Sequence, residues 1–341
     1  MGQVAPNPAV SSGTAIKMNS FLVGILAGAA SALLSLVLVT GLPIAVIFLY
    51  LSPLPILIVS LGWRHQAGLV ATTIGAVALS PLSLNASLVF IAGIGLPSWW
   101  LAYLLLLGRQ TDNGMQWYPL GRILVWIVGI AAAQLFAVLF FIGDGSHAGY
   151  VELINSFLTL MEPQLREVFG SQYNAEHLAE VLAILIPSSF ASFMVFLYVL
   201  NIWIAARSLA VSKRLLRPWP FIPATQMPRI VVAAAVAGFA ISFLEGFAGI
   251  AGLVLFSASS TALLFQGLAM IHQISQSWRQ RRLILWLVYI AIVLLPSAGG
   301  SFFAFVGPAV TVLGLADVLF NIRNRFGFGN AVPPNDNDNS F

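Results

Sequence analysis

Apolar runs of about 20 residues follow one another through this chain with almost no charge inside them, and that single feature removes most of the folds open to a chain of this length. Hydrocarbon offers no partner to a backbone amide, so a chain that crosses it must be helical or close into a barrel. The runs lack the alternating polar positions of barrel strands. The expectation is an all-α, polytopic bundle of about ten membrane helices. Composition agrees: 59% of residues are hydrophobic and 8% charged, against the roughly 25% charged of a soluble domain.

Charge orients the bundle. Of the 15 lysines and arginines, only Arg166 falls on one side when both termini are placed on the other. The crowded side, with Lys17, Arg64, Arg109, Arg214, Arg281 and Arg323 among others, is cytoplasmic by the positive-inside rule, which in a bacterium means the inner membrane, with N and C termini inside. The net charge of +4 is explained by these membrane-flanking residues, so nucleic acid is not expected as a partner. With no cysteine and four histidines without paired-ligand spacing, neither a metal site nor a cofactor is expected. No Ser/His, Asp/Asp or HExxH constellation points to an enzyme.

Residues 1–18 read as a cytoplasmic tail and 19–329 as the membrane domain. Within it, 143–179 is acidic and carries Val151, Ile154, Phe157, Leu158, Met161 and Leu165 at helical spacing, so an amphipathic extracytoplasmic helix is expected, divided at Pro163. Asn174 is placed to cap the helix that follows. The link 207–229 is basic and proline-rich, and suits either anchoring or docking of a soluble partner. Residues 230–271 should form two spans joined in the Gly246 to Gly252 region, and 330–341 a disordered tail.

Two spans carry internal breaks. Pro53 and Pro55 interrupt the second; Gly93, Gly95 and Pro97 interrupt the fourth, ahead of Ser98, Trp99 and Trp100. A shift of 44 positions superposes Gly24 on Gly68, Ala27 on Ala71, Ala32 on Ala76 and Pro53 on Pro97, the pattern of a repeated helical hairpin. Matched interruptions in repeated spans point to a transporter-type binding site, because freed backbone groups must face protein or a watery cavity. Pro53, Pro97, Ser98, Trp99 and Trp100 are accordingly the candidate residues for binding a small solute, across a shared cavity. Ordinary kinks relieved by neighbouring helices are the alternative.

Two acids, Glu245 and Asp317, lie in or beside apolar runs and are candidate intramembrane acids. On a straight helix, Arg323 stands on a somewhat different face from Asp317. The expected partners of Asp317 are therefore Asn321, His272, or an arginine among Arg279, Arg281 and Arg282.

The ending, with Gln266-Gly267-Leu268, a span pair, then Gly314-Leu315-Ala316-Asp317 and Arg323, resembles the YybS-like family of bacterial membrane proteins of unknown function. The core is also similar to the substrate-binding S components of energy-coupling-factor vitamin transporters, whose first helix docks on a membrane partner through small residues. That resemblance implies the docking role for Ala27, Ser31 and Ser35, and a transporter-like, solute-binding function. Packing of that small-residue face within the chain itself, and an envelope scaffold or assembly role for the protein, are the alternatives.

Overall fold

The computed structural model describes residues 9–37, 41–42, 44–112, 114–142, 146–170, 174–293 and 305–325. The expected tail 330–341 lies outside them. The described chain is an all-α membrane protein with one small β-hairpin, and it divides into two compact units: Met1–Tyr118 with Leu197–Trp219, and Pro119–Phe196 with Pro220–Phe341. Five apolar stretches are long enough to cross a membrane: Ala45–Trp63, Leu84–Leu106, Leu120–Phe141, Ala175–Val211 and Gly246–Ile274. Large apolar side chains turned outward, such as Ile47, Val89 and Phe141, give these helices the surface that a bilayer requires.

In the first unit, α1 (Ala9–Leu36) begins inside the stretch expected to be a tail. A helix interrupted at Ser52 follows as α2 (Ala45–Leu51) and α3 (Pro53–Trp63). Then α4 (His65–Leu79) leads to α5 (Leu84–Phe90), a π-turn (Ile91–Gly95) and α6 (Leu96–Leu106). A straight helix followed by a broken one thus occurs twice, as the repeat in the sequence anticipates.

Glycine sets the distance between the two straight helices. A Cβ on Gly24 would lie 2.8 Å from the carbonyl oxygen of Ala67, and one on Gly28 would press closer still on that of Ala71. These contacts advance together along both helices, so α1 and α4 run parallel with repeat-equivalent residues at nearly the same level. Behind the seam, Ala32, Ile56, Val59, Ala71 and Phe90 form a closed apolar core.

The unit is completed by the hairpin β1 (Gly108–Thr111) and β2 (Gly114–Trp117), and by the end of α10 (Ala175–Val211) with the link after it. The sequence carries Asn-Gly at 113–114, a strong hairpin signal that a reading by apolar spans overlooks. Arg217 from the link is buried, donates to the Leu105 carbonyl at 3.1 Å, and lies over the Trp117 ring. It supplies a cation to the carbonyl end of α6, where the helix dipole favours one. Burial pushes its guanidinium down from the ordinary arginine value.

The second unit contains α7 (Leu120–Ile142), α8 (His147–Leu160), α9 (Glu162–Phe169), α11 (Ile230–Ile241), α12 (Gly246–Ile274), α13 (Arg281–Val293), α14 (Val306–Phe320) and the short α15 (Ile322–Arg325). The amphipathic helix divides at Met161, beside Pro163 as expected. Asn174 caps α10 through its Oδ1, which accepts from the His177 amide at 3.2 Å.

One turn differs from expectation. The α11–α12 connection is made by 242–245, and Gly246, with φ of 67°, starts the next helix instead of turning the chain. Gly249 and Gly252 serve close packing: a Cβ on Gly249 would collide with the Leu244 carbonyl oxygen, and one on Gly252 with the Ser242 nitrogen.

Candidate functional site

At each interruption, side chains from neighbouring helices donate to backbone carbonyls beside the break. Pro97 has no N–H to give the carbonyl four residues earlier, that of Gly93. The chain widens into the π-turn, in which the Leu96 amide reaches back to the Ile91 carbonyl. The Tyr198 hydroxyl donates to the Gly93 carbonyl at 3.4 Å, and Thr72 of α4 donates to that of Gly95 at 3.2 Å.

At the other break, Ser31 of α1 donates to the Ser52 carbonyl at 2.6 Å, and Ser52 donates its own hydroxyl to the Leu49 carbonyl at 2.6 Å. Asn201 Nδ2 donates to the Tyr50 carbonyl at 3.0 Å. One turn of α10, from Tyr198 to Asn201, therefore serves both interruptions, and in each case the preceding straight helix adds a hydroxyl.

The site is nearly dry but not closed on itself. Asn201 is 1% exposed, and its Oδ1 is buried with no hydrogen-bond donor against it. An amide oxygen in that position costs a few kcal/mol unless a water or ligand donor reaches it. Trp99 Nε1 is a second buried atom without a partner. The Trp99, Trp100 and Tyr103 rings lie 5.6 to 6.2 Å apart, and His65 meets Tyr103 edge-on at 5.1 Å.

The expected site residues fall out as follows. Pro97 and Ser98 are buried, Ser98 donates to its own helix at Ile94, and Pro53, Trp99 and Trp100 are half-buried. Helices α3 and α6 do pack together. A groove of about 490 Å³ runs between α1 and the broken α2–α3, lined by Leu26, Ala27, Phe48, Pro55, Val59 and Trp63 among other apolar residues. None of the five expected binding residues lines it.

Of the small-residue face, Ser31 is fully buried within the chain, Ser35 bonds back to the Ser31 carbonyl, and Ala27 stands half-buried on the groove wall. Glu245 is exposed in the 242–245 turn, at the N-cap of α12.

Asp317 is 4% exposed, and its partner is Arg323. Asp317 meets Arg323, which a straight helix would place on a different face, because α14 stops. Asn321 adopts the left-handed conformation, φ 52° and ψ 49°, and its amide closes onto the Asp317 carbonyl. The chain then swings Arg323 back, bringing its Nη2 to 2.8 Å and its Nε to 2.9 Å from Asp317 Oδ2.

Gln273 Oε1 and the carbonyls of Pro223 and Thr225 take the remaining donors, so every N–H of the guanidinium is used. Gln266 donates to the same carboxylate at 2.6 Å. Next to it, Gly267 and Gly314 bring α12 and α14 into backbone contact, where a Cβ on either would collide with a carbonyl oxygen of the other helix. Gly267 lies with Gly314 and Gln273 with Arg323, so the two helices run parallel. His272, an expected partner, bonds Tyr289 of α13 at 2.7 Å instead.

This lock spans almost the whole ending that stood out in the sequence, and a family model described as "Predicted membrane protein (DUF2232)" matches residues 29–318, from α1 to the residue after Asp317. The chain belongs to that family. No curated protein and no solved structure matches it. As a DUF2232 protein it is an integral membrane protein, and both interruptions and the α10 turn between them lie inside the matched region.

Proposed function

We propose that this protein crosses the bacterial cytoplasmic membrane ten times with both termini inside, and that it works as a transporter-like component which binds a small solute at the paired interruptions. The ten-span arrangement is supported by the segregation of Arg166 from the other basic residues and by the parallel course of α12 and α14, which requires the chain between them to return across the membrane. The single observation that carries the solute reading is Asn201. It bonds one break, stands one turn from the residue bonding the other, and keeps a buried acceptor unfilled.

A solute with a hydrogen-bond donor would fill that acceptor, and a shift of the α10 turn that carries both Asn201 and Tyr198 would loosen a carbonyl at each break. Discontinuous helices in repeated hairpins are the arrangement that transporters use for such sites. The resemblance to S components points the same way, and the reading involves no catalysis.

The exposed apolar residues of α8, Phe157 and Leu160 among them, favour a second reading as an envelope scaffold that docks through this helix. Native mass spectrometry of the protein released from membranes, joined to identification of co-purifying proteins, separates the two. Retention of a small molecule by the parent and its loss from Asn201→Leu supports solute binding. Envelope-synthesis partners with no retained molecule support the scaffold.

A further inference from the structure

We propose that the groove between α1 and α2–α3 is a site for one anionic phospholipid, with an acyl chain in the groove and the headgroup phosphate held at its Trp63 end by Arg64 and Arg214. The groove wall on α1 runs from Val23 to Leu34, about 16 Å at helical rise. That is half of a hydrocarbon core of about 30 Å, so the groove is one leaflet deep, the reach of a single acyl chain entering from one surface. Its lining is wholly apolar, which suits a lipid tail and no polar solute.

The charge sits where the headgroup would. Arg214 lies over the Trp63 ring, 4.8 Å from its centroid, and Arg64 follows Trp63 directly in the chain. Both are exposed, and among the described residues neither has an acidic partner. The Trp63 end of the apolar slot thus carries two arginines, Arg214 stacked on its ring and Arg64 next in the chain, with no acidic partner among the described residues, the chemistry that phosphate recognition uses.

Arg64 also holds a backbone conformation that glycine would adopt at less cost, φ 103° and ψ 150°. That conformation supplies a clean test. Arg64→Gly removes the charge while relaxing the backbone.

The test exchanges the purified full chain into mixed micelles holding equal phosphatidylglycerol and phosphatidylcholine and counts retained lipids by native mass spectrometry. The parent should keep one phosphatidylglycerol in preference to phosphatidylcholine. The preference should fall about fivefold for each of Arg64→Gly and Arg214→Gln, the equivalent of about 1 kcal/mol per arginine near a lipid surface. Ala27→Phe, which narrows the groove, should reduce retention of both lipids, and inorganic phosphate at millimolar concentration should not displace the bound lipid.

Equal retention of the two lipids by the parent, or an unchanged preference in the double variant Arg64→Gly/Arg214→Gln with its thermal stability intact, overturns the proposal. Displacement by inorganic phosphate overturns it too, by assigning the arginines to a free anion. Lipid and solute differ in mass, so this result is independent of the outcome for Asn201.

Discussion

Tyr198 and Asn201 stand one turn apart on α10, and between them they bond the Gly93 carbonyl of one interrupted helix and the Tyr50 carbonyl of its repeat-equivalent partner. The bond from Asn201, at 3.0 Å, is the stronger of the two; that from Tyr198, at 3.4 Å, is at the limit of a hydrogen bond. Asn201→Leu should therefore cost about 1–3 kcal/mol by removing the Nδ2 bonds to the Tyr50 and Leu197 carbonyls, and Tyr198→Phe under about 1 kcal/mol. Thermal unfolding in detergent measures both. A larger loss for Tyr198→Phe would reverse the assignment.

The Asp317–Arg323 pair predicts a double-mutant cycle. Asp317→Asn keeps the shape and leaves the guanidinium buried without its counter-charge, a loss of about 3–5 kcal/mol. Asp317→Leu combined with Arg323→Met removes both charges and should recover part of that loss, though not all, since the carbonyls of Pro223 and Thr225 lose their donor. A single Asp317→Asn variant as heat-stable as the parent would show that this cluster does not hold α14 to α12.

Glycine contacts predict a contrast at constant chemistry. Gly28→Ala and Gly314→Ala push a methyl against backbone oxygen and should lower stability by about 1–3 kcal/mol each. Gly129 of α7 has open space around the equivalent position, so Gly129→Ala should be neutral or stabilising by up to about 1 kcal/mol through helix propensity. Equal effects at all three positions would show that the close approach of these helices is not what the glycines serve.

Arg217 reaches the end of α6 and lies over Trp117 at the same time. Arg217→Met should cost about 1–3 kcal/mol, and Arg217→Lys should recover little of it, since an ammonium cannot hold the planar stack and the directed bond together. Full rescue by lysine, in the same unfolding assay, would reduce the role of Arg217 to charge alone.

How far the sequence could be read depended on the range of each interaction. Helix positions, the division at Met161, the Asn174 cap and both interruptions were legible, because hydrophobic runs, prolines and capping residues act within a few residues of themselves. What fills the breaks was not legible. Tyr198 and Asn201 lie more than a hundred residues from Gly93 and Tyr50, on a helix whose local pattern gives no sign of them. Arg323 was missed for a local reason: one left-handed residue, Asn321, ends the helix and cancels an argument built on helical geometry. The repeat of 44 residues was visible, but only the packing of Gly24 and Gly28 against α4 shows what those small residues are for.

A chain with no native cysteine allows a single introduced thiol to distinguish a solute site at the paired interruptions from a sealed structural joint. Ser98→Cys places a lone thiol of nearly the same size beside the π-turn, at a position that is fully buried in the structure. With Arg109→Cys as an exposed control, a small water-soluble thiol reagent is applied to membranes and modification is followed by mass. Slow but complete modification of the Ser98→Cys variant is expected, as the site opens to water, under conditions that leave the protein folded. A Ser98→Cys thiol that stays unmodified until the protein unfolds, while the Arg109→Cys control reacts at once, would contradict a solute site there.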